Sequence, residues 1–239
     1  MAYKRFAFGI LAGCVLAVGF SVAPSSARAD QPRMRDAPQE LLPPFDPSLR
    51  GATRGPRAAC LLATRRAEDI HGLPRGLLTA IALSESGLHA HALSIRGTPH
   101  YPADLDEARQ LLRQARGSVM AGCMQVNARV HARGEDWPLD PFTAADWAGG
   151  VLARWARENN NSWTEALRRW HGASRGNTRS LVCRVRAKLE VTNPGSDLFQ
   201  SVRCPEGAAQ RLRNDASAHL QTAEAQAGRR GVASAAAGF

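Results

Sequence analysis

Residues 77–94 read LLTAIALSESGLHAHALS. From Leu77 to Glu85 the side chains are apolar except for Thr79, Ser84 and one carboxylate at the end. Charged side chains rarely sit on such a stretch unless they are paired or used. Leu73-Pro74 precedes it, and proline suits the first turn of a helix. Gly87 suits its end. These signals predict a helix over 75–86, with Glu85 in the last turn. There, apolar surroundings and the negative end of the helix dipole both favour the neutral carboxyl. A carboxyl held neutral is equipped to give up a proton near neutral pH. The plainer alternative is an exposed Glu at a fraying helix end.

Helical signals continue on both sides. Residues 58–71 place Leu61, Leu62 and Ile70 as anchors. Asp104-Leu-Asp-Glu107 resembles a capping box and opens a helix over 105–116 that Gly117 closes. Thr143-Ala-Ala-Asp146 opens a helix to about 158, and Ser162-Trp-Thr-Glu165 caps another that runs to His171. Residues 178–191 carry Leu181, Val182, Val185 and Leu189 on one stripe. Nothing reads as a long strand, although 94–103 or the region around 117–126 has room for a short hairpin. The expected class is mainly α.

The chain has 239 residues, enough for one domain with tails. Lys4 and Arg5, an apolar run from Phe6 to about Ala23, and Ala27-Arg28-Ala29 form an export signal over 1–29. The run is long for such a signal, which leaves an uncleaved membrane anchor as the lesser alternative. Leu11-Ala12-Gly13-Cys14 has the look of a lipobox but comes too early in the run. Residues 30–56 are rich in Pro and Gly and read as a flexible linker. Residues 205–239 have little apolar bulk and read as a disordered tail, with room for a short helix near 206–225. Between them, 57–204 is the folded domain.

An exported chain meets an oxidising compartment, so Cys60, Cys123, Cys183 and Cys204 are expected to form two disulfides. Three connectivities are open, and the one favoured here is Cys60–Cys123 with Cys183–Cys204. No spacing among them suits a metal. His89-Ala-His91 also lacks a third ligand at zinc spacing. The net charge of +10 falls to +7 without Lys4, Arg5 and Arg28. That favours an anionic partner outside the cytoplasm. No nucleic-acid motif is present. All five Trp lie between Trp137 and Trp170. Trp147 and Trp155 share one face of their helix, as do Trp163 and Trp170 on the next. Core packing is the plain role for the first pair, and a platform for sugar rings the sharper one.

Three segments follow one another in order. Glu85-Ser86 is followed by Ala92 and Ser94, then comes Gly122-Cys-Met-Gln-Val-Asn127, then Arg169-Trp170-His171. This order resembles the lytic transglycosylases of the soluble-lytic-transglycosylase class, whose helical fold is similar to goose-type lysozyme. The family pattern is E-S-x-x-x-x-x-A-x-S, then G-L-M-Q, then A-Y-N. An exported branch is closer still. It has a helix-bearing insert, matched by about 96–120 here, then G-C-M-Q-x-N, a His soon after (here His131), and Y-H in the last motif. The resemblance covers about residues 58–175.

The resemblance implies a substrate groove and roles for particular residues. Glu85 would be the single catalytic acid and base. Ser86, Ser94, Met124, Gln125, Asn127, Trp170 and His171 would bind substrate or pack against its site, with Gln125 donating hydrogen bonds. Trp170 replaces the family's Tyr, and an indole N–H can only donate. Cys123 replaces the family's Leu and suits a disulfide. The implied reaction cleaves peptidoglycan between N-acetylmuramic acid and N-acetylglucosamine, closes a 1,6-anhydro ring and needs no cofactor or metal. The implied setting is the periplasm, beside a type IV secretion, conjugation or flagellar assembly. A lysozyme-like hydrolase and a non-catalytic wall-binding adaptor are the competing expectations.

Overall fold

The computed structural model describes residues 55–172 and 175–235. The leader over 1–29 and the linker over 30–54 lie outside the described residues. Pro56, assigned to that linker, instead opens helix α1, Pro56–His71. The described chain is mainly helical with one small antiparallel sheet. After α1 come α2 (Leu77–Glu85), β1 (Leu93–Ile95), β2 (Thr98–His100), α3 (Leu105–Gln114), β3 (Val119–Ala121) and β4 (Val126–Asn127). Then follow α4 (Pro141–Glu158), α5 (Trp163–His171), α6 (Arg175–Thr192) and α7 (Glu206–Ala235). Among the described residues no helix is long and apolar enough to cross a membrane.

Helix α2 is buried from Leu77 through Leu83. A helix apolar on all sides has to lie among other elements, and α1 and α6 pack against this one. It starts two residues later than expected, because Gly76 adopts φ +81° and the chain turns at Pro74 with Leu77 N–H donating to its carbonyl at 3.0 Å. Glycine at the N-cap has no side chain to satisfy the first N–H groups. Glu68 of α1 takes that role. Its carboxylate accepts from Gly76 N at 2.8 Å, Thr79 N at 2.8 Å and Thr79 Oγ1 at 3.0 Å. Burial pushes Glu68 above the ordinary carboxylate range, and these donors pull it back.

Both regions with room for a hairpin contain one. The strand order is β2-β1-β3-β4, all antiparallel. The register aligns Pro99 with Ser94, Ser94 with Met120 and Met120 with Asn127, so one row crosses all four strands. Successive residues of a strand face opposite ways. Leu93, Ile95, Val119 and Ala121 accordingly pack with Ala108, Leu112 and Leu139, which puts α3 on the other face.

The expected disordered tail is corrected. Residues 206–235 form α7, which packs on α1 and α6. Among its described side chains the buried ones are Ala209, Ala216 and Ala223, seven apart. Such small side chains look like missing core in the sequence, yet on one helix stripe they let backbones approach closely. Gln226 Oε1 accepts from Arg57 N at 3.1 Å and Ala58 N at 3.2 Å, capping α1 from outside. Cysteines pair as Cys60–Cys123 and Cys183–Cys204, the favoured connectivity.

Glu68→Ala is expected to cost about 2–4 kcal/mol in urea unfolding, because it strands buried donors at the start of α2. A loss below about 0.5 kcal/mol would show that α2 does not depend on this cap.

Candidate active site

Glu85 is the last residue of α2. The next residue fastens that end. Ser86 is buried, and its hydroxyl donates to the Cys123 carbonyl at 2.9 Å while accepting from His89 N at 3.1 Å. Cys123 is also tied to α1 by its disulfide. It belongs to the turn Gly122–Gln125, closed by Gln125 N donating to Gly122 O at 3.1 Å. Gly122 has φ +74°, and a Cβ there would lie 1.7 Å from the Pro138 carbonyl oxygen, so both the conformation and the space demand glycine.

In front of Glu85 lies a cleft of about 680 Å³. One wall is the strand row, Pro99, Ser94, Met120 and Asn127. The other is Trp147 and Trp155 from α4 with Arg169, Trp170 and His171 from α5. The aromatic rings form a chain. Trp147 stands 5.8 Å from Trp170, 5.5 Å from Trp137 and 4.9 Å from His131, centroid to centroid. The Arg169 guanidinium lies 5.5 Å over the Trp155 ring. Tyr101 also lines the cleft and is 61% exposed. Glu85 is the only carboxylate among the described residues lining the cleft.

Of the residues expected at the site, the structure brings Glu85, Ser94, Gln125, Asn127, Trp170 and His171 to this cleft. Two are elsewhere. Met124 is fully buried in the core, and Ser86 has its hydroxyl committed behind the site, so both support the cleft without lining it. Gln125 reaches the cleft in a changed role. Its amide NH2 donates inward, to Ala92 O at 3.2 Å and Gly122 O at 2.9 Å. Both amide hydrogens are then used, and the Oε1 acceptor is what remains. Asn127 Oδ1 accepts from Arg129 N and Val130 N, each at 3.2 Å, which leaves its NH2 as the donor for a ligand. Trp163 does not line the cleft. Tyr101 and Met120 also line the cleft, and Arg169, quoted above only as part of its motif, joins them. For Met120 the only signal is its pairing with Ser94, which depends on strand register.

The electrostatics favour a protonated Glu85. Burial pushes its carboxyl above the ordinary range. His171, a hydrogen bond from Trp170, Arg184 and Lys188 pull it back, in decreasing order. An indole has one donor, Nε1–H, so Trp170 stabilises the carboxylate form. Arg184 Nη2 donates to His171 Nε2 at 3.0 Å. That bond makes Nε2 the acceptor and assigns the ring proton to Nδ1. His89, by contrast, is pushed down to about 4, first by burial and then by Arg57. It stands edge-on to Tyr101 at 5.5 Å. The arrangement is a carboxyl shifted toward its neutral form at a cleft walled by indole rings on one side and strand residues on the other. Neither a protein-family model, a curated protein nor a solved structure matches this chain.

A carboxyl whose pKa is raised by folding favours the fold below its unfolded value, about 4.3, and loses that advantage as pH rises through the raised value. Glu85→Gln has no such loss. Its Tm should therefore exceed that of the wild type at pH 7.5, with the gain vanishing near pH 4. Thermal unfolding at both pH values checks this, and an equal difference at the two would contradict the raised pKa.

Proposed function

We propose that this chain is a peptidoglycan lytic transglycosylase with a lysozyme-like, goose-type helical domain. Its reaction is cleavage of the β-1,4 bond between N-acetylmuramic acid and N-acetylglucosamine with formation of a 1,6-anhydro ring. The observation that carries this reading is the lone carboxylate. Most glycosidases use two carboxyl groups, about 5–5.5 Å apart when retaining and about 6.5–9.5 Å apart when inverting. Among the described residues this cleft has only Glu85. A mechanism that needs one acid, assisted by the substrate itself, fits that inventory.

In the proposed reaction Glu85 starts protonated and gives its proton to the glycosidic oxygen as the bond breaks. The substrate's acetamido group stabilises the cationic centre. Glu85, now ionised, takes the proton of the muramyl C6 hydroxyl, and that oxygen closes the ring. No water is consumed, and Glu85 ends as it began. Burial serves the first half by holding the proton. The Trp170 donor and the cations Arg184 and Lys188 serve the second half by stabilising the carboxylate. Trp147, Trp155 and Tyr101 offer faces on which sugar rings could stack, with Ser94, Asn127 and Gln125 supplying polar contacts. The order of Glu85-Ser86, Gly122-Cys-Met-Gln and Trp170-His171 supports the same reading.

This reading puts the enzyme in the periplasm, on peptidoglycan glycan strands. The export signal and the two cysteine pairs support that setting. Local opening of the wall is the kind of step that a type IV secretion, conjugation or flagellar assembly requires, and such an apparatus is the proposed partner.

The test is mass spectrometry of fragments released from purified peptidoglycan. Wild type should release anhydro-muramyl ends, lighter by one water than hydrolysed ends, and Glu85→Gln should lose at least about 10²-fold in release while still binding the wall. Reducing muramyl ends would make the protein a hydrolase. Binding without fragments from wild type would make it an adaptor.

A further inference from the structure

Lys188 of α6 is buried, with 8% exposure. Burying an ammonium costs several kcal/mol unless it is paired or used. Its Nζ donates to the Leu83 carbonyl at 2.6 Å, across 105 residues of chain. Leu83 is two residues before Glu85, and its carbonyl is one of those that the end of a helix leaves without an intrahelical partner. A cation on that carbonyl also opposes the negative end of the α2 dipole.

We infer that Lys188 is a positioning residue for Glu85: anchored on the Leu83 carbonyl, it fixes the last turn of α2 and supplies a buried positive charge that stabilises Glu85 once its proton has gone. This rests on the reading of Glu85 as one group that serves as acid and then as base, because only such a group has to be stable in both states. The other charged groups around this end are differently placed. Arg184, also on α6, is exposed and hydrogen-bonded to His171 of α5, so solvent screens it. Arg57 of α1 donates to the Gly87 carbonyl, beyond Glu85. His219 of α7 lies against Gly87 and is pushed toward its neutral form, chiefly by burial. Asp215 of α7 is exposed and favours the Lys188 ammonium. Lys188 is thus the buried, backbone-anchored cation of the group. Its own burial pushes it below the ordinary lysine range, while Asp215 and Glu85 hold it up.

The experiment is a carboxyl ¹³C NMR titration of the full chain labelled at glutamate, for wild type, Lys188→Gln and Lys188→Arg. Gln keeps a donor for Leu83 and drops the charge, and Arg keeps both. The Glu85 midpoint is expected to rise by about one pH unit in Lys188→Gln and to stay at the wild-type value in Lys188→Arg. Glu68 of α1, whose carboxylate caps the opposite end of α2, should titrate unchanged in all three. An unmoved Glu85 in Lys188→Gln overturns the inference. A joint shift of Glu85 and Glu68 also overturns it, since that means the whole helix has been displaced. Should Lys188→Gln fail to fold, Lys188→Met is the second variant, with the same expected rise and the same overturning results. The titration needs no turnover, so its outcome is separate from the product analysis that tests the enzyme reading.

Discussion

The structure depends on holding α2, a helix apolar on every side, in the interior with an ionisable group at its end. Backbone hydrogen bonding leaves N–H groups at one end of such a helix and carbonyls at the other without intrahelical partners. Side chains from other helices meet them. Glu68 of α1 puts a carboxylate on the amino end, and Lys188 of α6 puts an ammonium on the carboxyl end. Each charge has the sign that the helix dipole favours. The two neighbouring helices that bury α2 thus also fix its position along its axis, and the position of Glu85 follows.

The turn Gly122–Gln125 is the second point on which the site depends. Cys123 bonds covalently to α1, and its carbonyl receives the Ser86 hydroxyl from the end of α2. Gly122 N donates to Ala92 O at 2.8 Å, and Gln125 reaches the same carbonyl with its side chain. One short segment therefore joins α1, the end of α2 and the approach to β1. Because it also links β3 to β4, it sets where the row Ser94, Met120 and Asn127 stands relative to Glu85. The Ser86 hydroxyl spends its hydrogen bonds on this joint and the Met124 side chain is buried in the core, so both lie behind the cleft.

Around Glu85, burial and charge oppose each other. Burial favours the proton, and a ring of donors and cations favours its loss. A carboxyl under one influence alone would be fixed in one state. Under both it can hold a proton at rest and still survive as an anion within the same cleft. The aromatic wall takes part through the Trp170 indole, which stabilises the carboxylate.

By itself the sequence determined what local chemistry controls. The capping residues Asp104 and Ser162 mark helix starts where the structure has them, because a cap acts on N–H groups within its own turn. The apolar run ending in Glu85 marked both the buried helix and the unusual carboxyl, because the two lie in one short stretch. The tertiary structure alone decided what depends on partners distant in the chain. Glu68 caps α2 across a turn and Lys188 reaches it from 105 residues away, so neither leaves a mark near Glu85. The alanine stripe of α7 reads as missing core until α1 and α6 lie against it. Met120 joins the cleft only through strand register, and Gln125 turns from donor to acceptor only because Ala92 and Gly122 claim its hydrogens. Residue type sets what a side chain can do, and its neighbours in space decide which of those capacities is left for a ligand.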